Sequence, residues 1–478
     1  MLPSTKRILN LTAMILLALL SASITTYAQT GVTTVANTLP DGATYLIQVP
    51  ANWNGTLFLY SHGYVVPGSA NPAMDVGDPV TGAFMLANGY ALAGSSYATT
   101  GWAIQQALPD QIAVLDIFNK AFGHPKRTIA WGHSLGGIIT AGLIQRYPDR
   151  FDAAQPMCGV LSGGVATWNV ALDGAFAFKT LLAPGSGLQL VNITGATANF
   201  ELAEEFLAEA QATPQGRARI ALGAALADTP GWFTTGSPEP APTDYASQEA
   251  NQYLWDAEVD FPFVFAFRAE LEIRAGGNVS WNTDVDYHKQ FKRSAFQDEV
   301  KALYNAAGLS LDADLDTLNN TARIQRDQEA VEYLEQNIIF NGRIHIPVLT
   351  MHTTGDGLVV VQNESAYKKV VDEEGNDEFL RRTFVSRAGH CAFTPGETVA
   401  AVGTLINRLD TGRWHDVDPT DLNNAASALA ALSPLFNPLP PAFIDFEPSR
   451  YPRPFDAVTG ECDFGFFCHE PFALPSMH

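Results

Sequence analysis

Ser134 stands at the centre of Gly132-His133-Ser134-Leu135-Gly136, and that arrangement suits nucleophilic acyl transfer. A sharp bend between a strand and a helix strains the central residue and exposes its hydroxyl, while side chains at the two flanking positions would collide with neighbouring backbone. The same bend leaves the Leu135 N–H at the start of a helix, where unpaired backbone donors are able to hold a developing oxyanion. A bare G-x-S-x-G pentapeptide is common and by itself describes an ordinary turn. The frame distinguishes this one: Ile129 and Trp131 precede it in a β-rich run, and Ile138, Ile139 and Leu143 follow at helical spacing.

A serine hydroxyl is a poor nucleophile near neutral pH, so the chain must bring a base to it and a further group to orient that base. Residues 44–50 and 56–61 read as strands separated by the turn-forming Asn52-Trp53-Asn54-Gly55; 90–97 reads as a buried strand, 102–122 as a helix, and 151–159 as the strand after the nucleophile unit. This alternation implies a mostly parallel sheet with helices on both faces. From Gly159 to a strand near His345 lie roughly 185 residues, too many for a connection, so they form an insertion. Its stretches 201–212, 216–227, 245–273, 294–307 and 322–339 read as helical, with breaks at Pro214, Pro230-Gly231 and Gly276-Gly277. The aromatic run 261–267 either lines an acyl pocket or packs as core, the commoner role of such a run. Asp312, Asp314 and Asp316 are spaced like the start of a calcium loop, but Thr317 and Arg323 occupy the positions of its glycine and final glutamate, so no calcium site is expected. The sheet resumes at 346–352 and ends at 379–386; a helix over 398–409 follows, and then a proline-rich tail expected to run extended over the surface.

On its Gly-His-Ser-Leu-Gly-Gly run and strand-turn-helix frame, the chain resembles the α/β-hydrolase superfamily, and within it the lipase and esterase branch. The likeness covers about residues 28–160 and 343–410. It implies an α/β fold of the α/β-hydrolase type, with a large helical cap inserted over the active site. In the order nucleophile, acid, base, it implies Asp356 of Thr353-Thr354-Gly355-Asp356-Gly357 as the acid and His390 of Arg387-Ala388-Gly389-His390-Cys391 as the base. Thr353 departs from the family, which often has glycine there. The resemblance also makes the Tyr64 N–H, in His62-Gly63-Tyr64, the oxyanion partner of the Leu135 N–H. His62, His133 and His352 are expected to serve the scaffold, and Asp110, Asp116 and Asp260 lie where the pattern calls for no acid. In this fold Cys158 and Cys391 both reach the active-site edge, which implies a Cys158–Cys391 disulfide; a buried free thiol at Cys158 is the alternative. The implied division is a signal peptide over 1–28, core over 29–160, helical cap over 161–342, core again over 343–412, and a tail packing on the core over 413–478.

Lys6 and Arg7, the apolar run 8–22 and the small residues up to Ala28 have the pattern of a signal peptide cleaved after Ala28. The run is shorter than the ~20 residues a membrane span needs. A secreted or periplasmic location follows, where four cysteines are free to oxidise; Cys462 and Cys468, six residues apart, close a small loop cheaply. With 46% hydrophobic residues the chain buries a large core, and a net charge of −22 argues against nucleic acid or an anionic membrane surface as a partner. The expectation is therefore an exported serine hydrolase of small-molecule or lipid-like carboxylic esters, without a stable membrane span, cofactor or metal. An exported peptidase or amidase on the same three residues is the alternative. A non-catalytic binding relative would be expected to lack one of them, and none is missing.

Overall fold

The computed structural model describes residues 31–455 and the short strands 461–462 and 466–467. The expected signal peptide, residues 1–28, and the expected Cys462–Cys468 pair fall outside this description. Nine strands form one sheet in the order β1-β2-β4-β3-β5-β6-β7-β8-β9. They are β1 Val32–Thr38, β2 Thr44–Pro50, β3 Thr56–Ser61, β4 Ala91–Ser95, β5 Arg127–His133, β6 Ala153–Met157, β7 Val348–Gly355, β8 Leu380–Ala388 and β9 Phe443–Ile444. From β4 to β8 every neighbouring pair is parallel, whereas β1, β2 and β9 add antiparallel edges. This is the α/β-hydrolase architecture.

Parallel strands covered on both faces need apolar residues on both, and β3 and β4 are buried at every position. Helices α1 Pro79–Ala87, α2 Ile104–Phe122 and α3 Leu135–Arg146 supply part of that cover. Because the strands run the same way, β3, β5, β6, β7 and β8 all end at one edge, where the crossovers leave their first loop residues. Two edge strands differ from expectation. β1 is mostly exposed, so it lacks the alternation that marks a strand. The sheet also continues beyond β8, since the two-residue β9 pairs with Phe384 and Val385 after a long excursion.

Between β6 and β7 the insertion builds its own apolar cluster, in which Phe178, Leu222, Phe261, Phe265 and Tyr304 are buried. Its first helix, α4 Gly164–Leu182, is absent from the sequence expectation. Buried Asn169 and Asp173 interrupt its apolar rhythm, and their partners lie far along the chain: Asn169 accepts from the Trp281 N–H, and Asp173 from Tyr287, Gln290 and Arg453. Helices α5 Ala196–Gln211 and α6 Pro214–Ala227 follow near the expected positions. The single helix expected over 245–273 is instead α7 Tyr245–Trp255, two π-helical turns at Asp256–Asp260 and Phe263–Phe267, and α8 Arg268–Ala275. The rejected calcium loop is helical, within Leu311–Asn320.

The tail departs most from expectation. It contains a helix, Pro419–Leu429, and it does more than wrap the surface. Arg453, only 4% exposed, sends Nη1 to both carboxylate oxygens of Asp173 at 3.1 and 3.0 Å and Nη2 to the Trp281 carbonyl at 3.0 Å. This buried, multiply hydrogen-bonded pair holds the tail to the insertion, and removing one partner strands the other charge. Arg453→Ala is expected to lower the unfolding free energy in urea by about 3–5 kcal/mol; a change within about 0.5 kcal/mol, the range of surface substitutions, would show the pair to be incidental.

Burial in the insertion also pushes acids upward: Glu249 to about 7, and Asp228 and Glu299 to about 8. Unfolded, these groups release their protons near pH 4, so over the interval between the two values the folded chain holds the extra protons. Their contribution to stability is complete below the unfolded values, declines across the interval and is gone above about pH 8. Thermal melts are expected to show Tm falling between about pH 5 and 8; a level or rising Tm contradicts this.

Candidate active site

The carboxyl edge of the sheet assembles residues from four strand ends. Ser134 follows β5 with φ 59° and ψ −123°, a region costly for any residue but glycine, so the surroundings must hold it there. Its N–H donates to the Met157 carbonyl at 3.0 Å, and its carbonyl accepts from Gly137 at 2.8 Å. A Cβ on Gly136 would come within 1.9 Å of the Ser61 carbonyl oxygen, and one on Gly132 within 2.4 Å of the same atom. The expected collision is thus with the end of β3.

His390 lies past β8 and Asp356 past β7. His390 Nε2 is 2.7 Å from Ser134 Oγ, and His390 Nδ1 is 2.8 Å from Asp356 Oδ2. A carboxylate only accepts, so Nδ1 carries the proton and Nε2 faces the serine hydroxyl as an acceptor. Asp356 is fully buried, and its other oxygen accepts from the Val359 N–H at 3.0 Å. Thr353, the departure from the family pattern, ends up useful: its hydroxyl donates to the Gly389 carbonyl at 2.7 Å and ties the acid's strand to the histidine loop.

Three further devices hold that loop. Arg387 donates to both oxygens of Glu397 at 2.6 and 2.9 Å and to the Ala392 carbonyl at 2.7 Å, bracketing His390. Cys158, after β6, and Cys391, after His390, form a disulfide with a Cα–Cα distance of 5.4 Å. Beneath Asp356, His352 is fully buried between Glu364 Oε1 at 3.1 Å and the Val359 carbonyl at 2.7 Å, with Asp356 Oδ2 at 3.7 Å. Burial opposes charge on this ring, but Glu364 and Asp356 outweigh it and raise its pKa. His352 is therefore a satisfied scaffold residue, as expected, and its charge favours the Asp356 carboxylate. His133 is also confined to the scaffold: burial and the nearby His390 lower its pKa to about 4, and its Nδ1 meets the Tyr60 hydroxyl.

Among the described residues, neither the Tyr64 nor the Leu135 N–H donates to a protein acceptor. A Cβ on Gly63 would lie 3.4 Å from Ser134 Cβ, so the loop carrying Tyr64 passes close by the hydroxyl. Ser134, Leu135 and Tyr64 open on a cavity offering about 140 Å³ to the centres of water molecules. Its walls come largely from the insertion: Trp168 and Phe178 from α4, and Phe263 and Val264 from the second π turn. The aromatic run divides its labour, for Phe261 and Phe265 are also buried in the insertion's core. Asp256 and Asp260 line the same cavity. The triad pattern gives Asp260 no role; the visible signal is an Asp-x-x-x-Asp pair directly before the aromatic run.

Residues 90–167, from β4 through the serine turn, match the model of the prolyl oligopeptidase family. The chain is 31% identical over 426 residues to the o-phthalyl amidase of Xanthobacter agilis, an alignment covering 82% of this chain and 90% of that protein. Among solved structures, feruloyl esterase B from Aspergillus oryzae is 13% identical with a TM-score of 0.39, covering 80% of this chain and 81% of its own. The acylaminoacyl peptidase of Pyrococcus horikoshii is 9% identical with a TM-score of 0.34, covering 75% and 37%. Extended over nine-tenths of that relative, the likeness to the amidase places the chain: it belongs to the family of the o-phthalyl amidase, and it is a serine hydrolase of the α/β-hydrolase superfamily.

Proposed function

We propose that Ser134, His390 and Asp356 are the catalytic triad of an exported hydrolase that cleaves carboxylic esters through an acyl-enzyme. The observation that carries this reading is the run of two short contacts, serine to Nε2 at 2.7 Å and Nδ1 to buried carboxylate at 2.8 Å. Ser134 Oγ bonds to the acyl carbon as His390 Nε2 takes its proton, and the oxyanion that forms is held by the N–H groups of Tyr64 and Leu135. His390 then gives the proton to the leaving alcohol as the carbon–oxygen bond breaks. Water attacks the acyl-enzyme, passing a proton to His390, and Ser134 recovers it as the acid leaves. Asp356 keeps the imidazole in the required tautomer and balances its charge. The insertion, as a cap, supplies the walls that select the acyl group.

Amides are the second reading, and a specific observation favours it, since the relative at 31% identity is named an amidase. The chemistry differs only in a leaving amine that must receive the proton from His390. p-Nitrophenyl esters of rising chain length, run beside aminoacyl-p-nitroanilides, separate the two by kcat/KM.

Ser134→Ala is expected to lower kcat by about four to six orders of magnitude without loss of folding. His390→Ala should match it, and Asp356→Asn should cost somewhat less, on the order of 10⁴. Near-normal turnover in any of the three would remove that residue from the triad. For export, peptide mapping without reduction of protein recovered outside the cytoplasm should yield Cys158 and Cys391 as one linked peptide; separate free-thiol peptides would contradict an oxidised, exported form.

A further inference from the structure

The cavity beside Ser134 is walled largely by apolar side chains, and two carboxyls stand among its few polar groups. Asp256 and Asp260 lie four residues apart on the π-helical turn Asp256–Asp260, and both line it. Neither carboxyl accepts a hydrogen bond from, or pairs with, another described residue. The cation in the same lining, Arg219, is already engaged, with Nε and Nη2 on the two oxygens of Asp314 at 2.7 and 3.1 Å. The other acids that act on the pair add to the negative field: Glu249 faces Asp256, and Asp356, itself held by His390, faces Asp260. Burial is the first cause, and these neighbours the second, of a pKa pushed to about 8 at Asp256 and upward at Asp260.

Both aspartates are half-buried, and a carboxyl without a protein partner on a largely apolar wall leaves its oxygens open to a ligand's donors. Two of them facing one space are completed by a group that brings several donors and a positive charge. A carboxylate would add a like charge beside these acids, and an alkyl or aryl group would bring no donor to either carboxyl. A primary ammonium has three donors and one charge, and beside apolar walls of low dielectric each contact with it is strengthened.

Resting on the reading of Ser134 as the nucleophile, we propose that Asp256 and Asp260 form a subsite for a protonated primary amine of the substrate, so that the enzyme selects amine-bearing acyl compounds. Both are specificity-determining residues: they hold the substrate while Ser134, His390 and Asp356 act on its carbonyl.

Titration calorimetry at pH 7 with benzylamine, benzyl alcohol and benzoate tests this on the full-length protein, without turnover. Benzylamine is expected to bind at least about tenfold more tightly than either of the others. Asp260→Asn should bring benzylamine and benzyl alcohol within about twofold of each other, a change in discrimination that mere loosening of the cap would not produce. Benzyl alcohol or benzoate binding as tightly as benzylamine, no binding of benzylamine, or an unaltered ratio in the variant overturns the subsite. If the variant does not fold, the ranking on the unmodified protein decides alone. Labelling of Ser134 by a fluorophosphonate reports separately on the nucleophile, so failure there and failure of the amine subsite are distinguishable.

Discussion

A fully buried carboxylate at Asp356 is the constraint around which the site is arranged. Such a group persists in a protein interior only when donors and positive charge surround it. Here the Val359 N–H serves one oxygen, His390 Nδ1 the other, and His352 stands 3.7 Å away with Glu364 behind it. Meeting that demand fixes the end of β7, the turn after it and the histidine loop of β8 together. The insertion is drawn into the same arrangement: a Cβ on Gly357 would overlap the Trp255 ring at 2.2 Å, so the acid's turn and the insertion's helix are in close contact. Thr235 adds a second tie, its hydroxyl donating to the Ala388 carbonyl at 2.9 Å.

At Ser134 the demand is for space rather than for charge. Gly132 and Gly136 let the elbow approach the Ser61 carbonyl, and Gly137 packs against Gly159, where an added Cβ would stand 2.5 Å from its Cα. Packed this tightly, the strained serine cannot relax by small backbone shifts. The disulfide brings the loop after β6 and the loop after β8 into one unit beside it, across a sequence separation of 233. In the chain-entropy view, closing a loop that long restricts the unfolded chain by an amount on the order of 5 kcal/mol at most. The insertion sits wholly inside that loop, between β6 and β7.

The insertion and tail show a different economy. Their interior holds Asp173, Arg268, Glu272 and Arg453 in hydrogen-bonded pairs: Arg453 meets Asp173 across 280 residues of sequence, while Arg268 reaches Glu272, Asn278 and Ser280 nearby. Polar networks of this kind fix how helices seat against one another more sharply than apolar contact does, provided their members are satisfied. Asp256 and Asp260 stand outside these networks, which sets them apart from the acids that serve the scaffold.

Much of the site was legible along the chain, because its signals are local. Gly-x-Ser-x-Gly between a β-rich and a helical run is a statement about backbone strain, and it pointed to Ser134 and the Leu135 N–H before any contact was known. The order of Ser134, Asp356 and His390 came from resemblance, and with it the facing of Cys158 and Cys391. Continuous apolar runs also marked the inner strands, whose burial on both faces leaves a plain signature. The edge strands β1 and β9 left none, since exposed or two-residue strands carry no periodicity. Helix α4 was hidden by Asn169 and Asp173, polar residues buried only because Trp281, Tyr287 and Arg453 arrive from more than a hundred residues away. Only the tertiary structure decided that Thr353 would clamp the histidine loop, that the tail would carry a buried arginine, Arg453, to the insertion, and that Asp260 would line the cavity beside Ser134. Each of these depends on which distant surfaces meet, and hydrophobic period and local propensity carry no information about that.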